Sequence, residues 1–334
     1  MASALGRLAS REAALIALVI VLIALPPVCN ALGISFLTNE FRRFLIFGIA
    51  AVSLDLILGY GGMVSFGHAA YVGLGAYTVG ILHWSVGAAH LPTWTTEPLL
   101  SWLMAAGIAA TAALAVGAIS LRTSGVYFIM ITLAFAQLIY FVFVGLKGIG
   151  GDEGLRFAAN RQLLGFLDLS NRTTFYYIVL FLLSATLALC RGLTRSRFGL
   201  VIQGCRDNER RMRALGYETY AYRLTCFTIA GAIAGFAGGL FATHEAFVSP
   251  SLMHWSRSGE FIVMVLLGGM GTLVGPVVGA IVYLWLESFL PEYSEHWMLF
   301  FGPALILAVL FARNGVFGSL QSWFPSNLKG RASA

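Results

Sequence analysis

Apolar runs of membrane-crossing length recur along this chain almost from end to end. A helix spanning the hydrocarbon core needs roughly 17 to 25 apolar residues. The stretches 13–28, 44–58, 64–83, 99–120, 126–146, 175–190, 224–242 and 297–312 meet or approach that length. A ninth stretch, 261–290, is too long for one crossing at about 1.5 Å of rise per residue. It is interrupted by Gly268, Gly269, Gly271, Gly275 and Pro276, and it is read as two shorter helices broken at 271–275. In lipid every backbone N–H and C=O must be satisfied within the protein, which leaves helices or a closed barrel. The runs are continuous rather than alternating, so they select helices. The expectation is an all-α integral membrane protein, a polytopic helical bundle of about ten transmembrane segments with broken helices.

Composition agrees, since 58% of the residues are hydrophobic and only 11% charged, against roughly 25% charged in ordinary soluble domains. The net charge of +6 is read as topological, because the basic residues lie between apolar spans without the aromatic platforms of a nucleic-acid surface. Basic residues collect in short cytoplasmic loops. With ten spans and the N-terminus inside, 14 of the 21 Lys and Arg fall on the inner side, eight of them in the segment 191–223. A nine-span chain would put the basic C-terminal tail outside, so both termini are expected in the cytoplasm. The segment 147–174 becomes a periplasmic loop. No second domain interrupts residues 1–334, whose membrane core is 13–312. Arg7 and Arg11 precede the first apolar run as in a signal peptide, but Pro26, Pro27 and Val28 stand where a small-residue cleavage site belongs, so the run is kept as a span. Cys29, Cys190, Cys205 and Cys226 lack metal-ligand or redox spacing and are expected to be reduced structural thiols, with no metal.

Two segments concentrate candidate chemistry. The first, 54–82, carries glycines at 59, 61, 62, 67, 73, 75 and 80. Gly59, Gly61 and Gly62 beside Ser65 and His68 suggest a helix break, which at membrane depth is tolerated where it lines a cavity or is buried in protein. Small-residue helix packing is the other reading, and both stay open. Asp55 and His68 are ionisable in an apolar span, a functional hypothesis by default. Asp55 can instead reach interfacial water, and His68 can be a neutral hydrogen-bonding core residue. The second segment, 191–223, contains RDNERRMRALG at 206–216. Asp207 or Asn208 can cap a short helix, Gly216 suits its left-handed stop, and Met212 and Leu215 share a face bordered by Arg210, Arg211 and Arg213. Such an amphipathic element binds anionic lipid or docks into a soluble partner.

The stretch 206–216 resembles the cytoplasmic coupling segment of permeases of the branched-chain amino-acid ABC importer family. LILGYGGMVSFGHAAYVGLGAY at 56–77 is similar to their N-terminal signature, and VLLGGMGTLVGPVVGA at 265–280 gives a third match in the same order. The resemblance covers about 40–312, and the long loop with GGDEGL at 150–155 points to the LivM-like of two paralogous permeases. It implies a transporter subunit rather than an enzyme, in a bacterial inner membrane. Its partners would be two cytoplasmic ATPase subunits, a homologous second permease and a periplasmic solute-binding protein. It also implies that Arg206, Asp207, Asn208, Glu209, Met212, Leu215 and Gly216 couple to the ATPase. Asp55, Gly59, Gly61, Gly62, Ser65, His68, Gly271, Gly275 and Pro276 would form the translocation path or its helix breaks. The chain has no G-x-x-x-x-G-K-[ST] sequence to cradle phosphates, so ATP and Mg are expected on partner subunits and no cofactor here. Related permeases for urea, amides or aromatic acids look similar, and Asp55 stands where many relatives carry a neutral amide, which leaves the solute open. A secondary transporter or channel would need midplane coupling acids, of which there are few. An intramembrane enzyme would use Ser65 and His68, three apart on one helix face, yet no oxyanion motif or orienting third residue accompanies them.

Overall fold

The computed structural model describes residues 18–29, 31, 33, 35–87, 92–159, 162–163, 167–292, 296, 299 and 301–303. Ten helices lie among them. They are α1 Leu18–Cys29, α2 Ser35–Asp55, α3 His68–Gly87, α4 Pro98–Ser120, α5 Val126–Gly145, α6 Arg172–Arg195, α7 Arg197–Ala214, α8 Thr219–Glu245, α9 Trp255–Gly268 and α10 Gly275–Phe289. Four of them, α4, α5, α6 and α8, are each long and apolar enough to cross a bilayer unaided. The chain is therefore an all-α, multi-pass membrane protein. Residues 1–17 and most of the expected span 297–312 lie outside the described residues, and with them both termini.

Small residues set the helix spacing. Ala105, Ala109 and Ala113 recur every fourth position on α4 and face Gly231, Gly235 and Gly239 of α8, where a Cβ would strike the alanine methyls or the α4 backbone. On its other side α8 meets α3: a Cβ on Gly238 would collide with the Val72 carbonyl, and one on Gly75 with the Gly235 carbonyl. Without a hydrophobic drive between helices in lipid, such close backbone approach is a main source of association. Gly73, Gly75 and Gly80 all lie inside α3 and line no break: Gly75 serves this packing, Gly73 makes room for the Met253 side chain, and Gly80 lies against Leu155, Phe157 and Val248. Hydrogen bonds pin the bundle across long sequence distances, from Trp102 Nε1 to Thr243 Oγ1 at 2.9 Å, Tyr220 Oη to the Ala118 carbonyl at 2.8 Å and Tyr176 Oη to the Leu22 carbonyl at 2.7 Å. The large apolar residues Tyr127, Met130, Phe141 and Phe181 remain exposed on the outside of this arrangement, the surface that lipid covers.

Several boundaries differ from the apolar pattern. Helix α2 begins at Ser35 rather than 44, because Asn39, Glu40, Arg42 and Arg43 continue the helix past the end of the apolar run. Residues 64–67 are not helical, so the span expected to start at 64 starts at His68. The segment 191–223 is not a loop with one short helix, since α6 runs on to Arg195 and α7 fills Arg197–Ala214. The segment 147–174 holds two short 3₁₀ turns and parts of two two-stranded ribbons, Leu155–Arg156 pairing with Phe247–Val248, and Gln162–Leu163 with Leu167–Asp168. The glycine-rich stretch does form two helices, α9 and α10, packed side by side and joined by the break 269–274.

Candidate functional site

Helix α2 does not end cleanly. After Asp55 it widens into a single π turn, Leu56–Tyr60, a device that recurs at functional sites because it disrupts the regular hydrogen-bond ladder. Gly62 follows with φ +64°, and residues 61–67 run irregularly to α3. The break that the glycines announce is thus real, with Gly61, Met63, Ser65 and Gly67 buried and Gly62 exposed.

The first consequence of the π turn is at Gly59. Its carbonyl accepts a 2.6 Å hydrogen bond from Arg206 Nη1, 147 residues away on α7. A Cβ on Gly62 would stand 2.6 Å from Arg206 Cγ, so the glycine leaves room for the arginine stem. On the other side Asp55 Oδ1 accepts from the Gly271 backbone N–H at 2.8 Å. This bond passes over Gly59, where a Cβ would lie 2.5 Å from the Gly271 nitrogen and collide with Oδ1. Asp55 is fully buried, and the peptide of Leu273 is a second polar neighbour of its carboxylate. The reading in which Asp55 reaches interfacial water is overturned by this burial.

The 269–274 break is itself shaped to present Gly271. Gly269, Gly271 and Leu273 have φ of +110°, +70° and +56°, and for leucine that region costs about 1–2 kcal/mol. Thr272 Oγ1 donates to the Gly269 carbonyl at 2.7 Å and accepts from Gly275 N at 3.0 Å. Pro276 in the first turn of α10 gives up only an N–H that would have had no helical partner. Gly268 and Gly279 admit the Gly275 and Met264 carbonyls, which holds α9 against α10.

The segment 206–216 supplies the third arm. Asn208 leaves helical geometry (φ −161°, ψ 96°) and its Oδ1 caps the next turn by accepting from Arg211 N at 3.0 Å. Gly216, φ +87°, ends that turn, with Tyr217 N bonded to the Met212 carbonyl at 3.2 Å. Glu209 ties the turn to the start of α8, meeting Arg213 at 2.5 Å, Arg223 at 3.0 Å and Thr219 Oγ1 at 3.2 Å. Asp207 pairs with Arg206 at 3.3 Å. Met212 does not share an outward face with Leu215: it folds over Gly204, where a Cβ would touch its sulfur. Leu215 is 66% exposed.

Ser65 and His68 do not form a nucleophile–base pair on one helix face. Ser65 precedes α3, and its Oγ accepts from Gly67 N at 3.2 Å. His68 Nε2 lies 2.7 Å from Ser53 Oγ, whose proton goes to the Ala50 carbonyl at 2.7 Å. The imidazole is therefore the donor to Ser53, a tautomer assigned from this network. Ser258 Oγ accepts from Ala69 N at 3.0 Å and satisfies the α3 N-terminus. Ser53, Ser258 and Thr272 were missed in the sequence, where serine and threonine in apolar runs carry no signal. Among the described residues no group of His, Cys, Asp and Glu could hold a metal.

Three segments far apart in sequence thus meet at Asp55, Gly59, Arg206 and Gly271, and they are the three that resemble permease signatures. The family model described as "Branched-chain amino acid transport system / permease component" matches residues 36–310. This chain belongs to that permease family. It is 27% identical over 334 residues to the high-affinity branched-chain amino acid transport system permease protein LivM of Salmonella typhimurium, covering 93% of this chain and 76% of that one. Against LivM of Escherichia coli it is 28% identical over 295 residues, 81% and 68% of the two chains. Against the probable LivM of Methanocaldococcus jannaschii it is 24% identical, covering 85% and 94%. No solved structure matches the chain. The family places the protein among transport components, not enzymes.

Proposed function

We propose that this chain is the membrane-spanning permease subunit of an ATP-driven importer of the ABC class in a bacterial inner membrane, and that it carries branched-chain amino acids. One observation carries the reading: Arg206, in the segment that would face an ATPase, holds the carbonyl that the π turn of α2 releases, and the same turn is bound through Asp55 to the break between α9 and α10. A push on α7 therefore reaches two helix breaks through two hydrogen bonds. In this reading α7 is cytoplasmic, the ten crossings are α1–α6, α8, α9, α10 and the span 297–312, and both termini are inside. Energy comes from two ATPase subunits, and a second permease subunit completes the path. A solute-binding protein delivers the solute from the periplasm.

Reconstitution tests it. The chain, its sister permease, the ATPases and the binding protein in proteoliposomes should take up labelled leucine only when ATP is supplied on the α7 side. Uptake that runs on an ion gradient without ATPase subunits refutes it, and competition by urea, acetamide and aromatic acids in place of leucine reassigns the solute.

A further inference from the structure

At the end of the bundle opposite α7, a cavity of about 180 Å³ opens between the first turns of α2, the turn before α6 with the start of α6, and the end of α8. That is more than ten times the roughly 10–15 Å³ that one water requires. Arg42, Arg172, His244, Asn39, Ser170 and Phe175 line it. Arg42 is 8% exposed, contacts Asn39 Oδ1, and its guanidinium lies 5.6 Å above the centroid of the Phe175 ring. His244 stacks on Phe175 with centroids 6.0 Å apart and an interplanar angle of 18°. One buried aromatic ring is therefore in contact with both a guanidinium and an imidazole. The His244 side chain is 5% exposed, its Nδ1 is 3.1 Å from Glu245 Oε1, and its Nε2 has no hydrogen-bond partner among the described residues. Because a carboxylate only accepts, Nδ1 carries the proton of the neutral ring and Nε2 offers a lone pair. A buried polar atom left in that state carries a desolvation penalty that a ligand relieves.

We propose that this cavity binds the zwitterionic head of an α-amino acid, with the carboxylate on Arg42 and Arg172 and the ammonium facing His244 Nε2. Guanidinium groups match a carboxylate with paired, charge-assisted hydrogen bonds, while an unpartnered acceptor lining the same cavity suits the ammonium that an amino acid holds one carbon from its carboxylate. Thr243 joins the site to the scaffold, since it lines the cavity and accepts from Trp102 Nε1. The inference rests on the importer reading for the side the cavity faces. It makes the cavity an outer-face holding site for solute before it enters the path. A carboxylate can also arrive on an acidic side chain of a docking protein, without an ammonium beside it.

The test is equilibrium binding of labelled L-leucine to the purified full chain in detergent, without ATPases or ATP. Saturable binding should be displaced by unlabelled L-leucine and not by L-leucinamide, which lacks the carboxylate, or by N-acetyl-L-leucine, which lacks the ammonium. Arg172→Gln, at an exposed position at the start of α6, should weaken it at least tenfold, as should the buried Arg42→Gln. Absence of saturable binding, or unchanged affinity in Arg172→Gln, overturns the site. Equal competition by N-acetyl-L-leucine overturns the zwitterion and assigns the cavity to an acidic side chain of a partner. Uptake by the reconstituted complex, run in parallel, separates the two readings. Intact leucine uptake without site-dependent binding removes only the holding site, whereas absence of ATP-driven leucine uptake removes the importer reading with it.

Discussion

Breaking the Arg206–Gly59 contact from either side should damage transport once, not twice. A hydrogen bond from a charged group contributes about 1.5–3 kcal/mol; the Arg206 side chain is 43% exposed, which argues for the lower end, about 1.5 kcal/mol. At about 1.4 kcal/mol per factor of ten, Arg206→Ala should reduce the population of the docked arrangement about tenfold. ATP-driven uptake should fall with it while the subunit stays in the membrane. Gly62→Ala breaks the same contact, because its Cβ would stand 2.6 Å from Arg206 Cγ, and it adds about 1–2 kcal/mol for a side chain at φ > 0. The double variant should therefore transport about as well as Gly62→Ala alone, roughly tenfold better than the product of the two single effects. Initial rates of leucine uptake in proteoliposomes, normalised to inserted subunit, measure this cycle. Additive losses would show that Gly62 and Arg206 act through separate contacts and would refute the reasoning.

Other outcomes follow from the same geometry. Asp55→Asn keeps an oxygen for the Gly271 N–H and should retain most uptake, whereas Asp55→Ala leaves that partly buried donor without its partner, at about 1 kcal/mol, and should reduce it several-fold; equal phenotypes would remove Asp55 from the junction. Gly238→Val puts branched carbon into the Val72 carbonyl and should abolish membrane accumulation, read by immunoblot of membrane fractions. Glu209→Ala releases Arg213, Arg223 and Thr219 at once and should speed tryptic cleavage at Arg210, Arg211 and Arg213 in inside-out vesicles, while unchanged cleavage would mean the network does not order the turn. Arg210→Cys should react with an impermeant maleimide only from the cytoplasmic side. The background is low, because all four native cysteines are buried and burial pushes the Cys205 thiol above its ordinary range. Labelling from outside intact cells would invert the topology.

The apolar pattern was enough for the helical bundle and for the split between α9 and α10, since both rest on periodic or punctuating residues that act locally. It was also enough for the Asn208 cap and the Gly216 stop, because capping chemistry spans only a few positions. It failed where tertiary contacts decide. Helix α2 extends to Ser35 because polar residues there have partners elsewhere, with Arg42 lying over Phe175 of α6. The first half of α7, 197–207, carries Phe198, Val201, Ile202 and Cys205 at the spacing of one helix face, the face that packs inward, but Gly199 and Gly204 and the surrounding arginines mask that signal as a loop. Ser53 and Ser258 matter through hydrogen bonds to His68 and to the Ala69 N–H, remote in sequence, and Thr272 through two bonds that shape the turn around it; none of these shows in an apolar pattern. Above all, the meeting of Asp55 with Gly271 and of Arg206 with Gly59 spans 216 and 147 residues. The glycines showed that something approaches closely there; they could not show what.

A crosslink tests the junction most directly. The Cβ built on Gly62 lies 3.4 Å from Arg206 Cβ, close to the roughly 3.5–4.5 Å of a disulfide. A Gly62→Cys, Arg206→Cys pair in the membrane-embedded chain should therefore crosslink under mild oxidation, where either single variant and a Gly62→Cys, Arg210→Cys control should not. If α7 docks on the π turn, the Gly62–Arg206 pair forms readily and reduction reverses it. If that pair stays reduced while the control crosslinks, α7 sits elsewhere and the account of how it reaches the helix breaks is wrong.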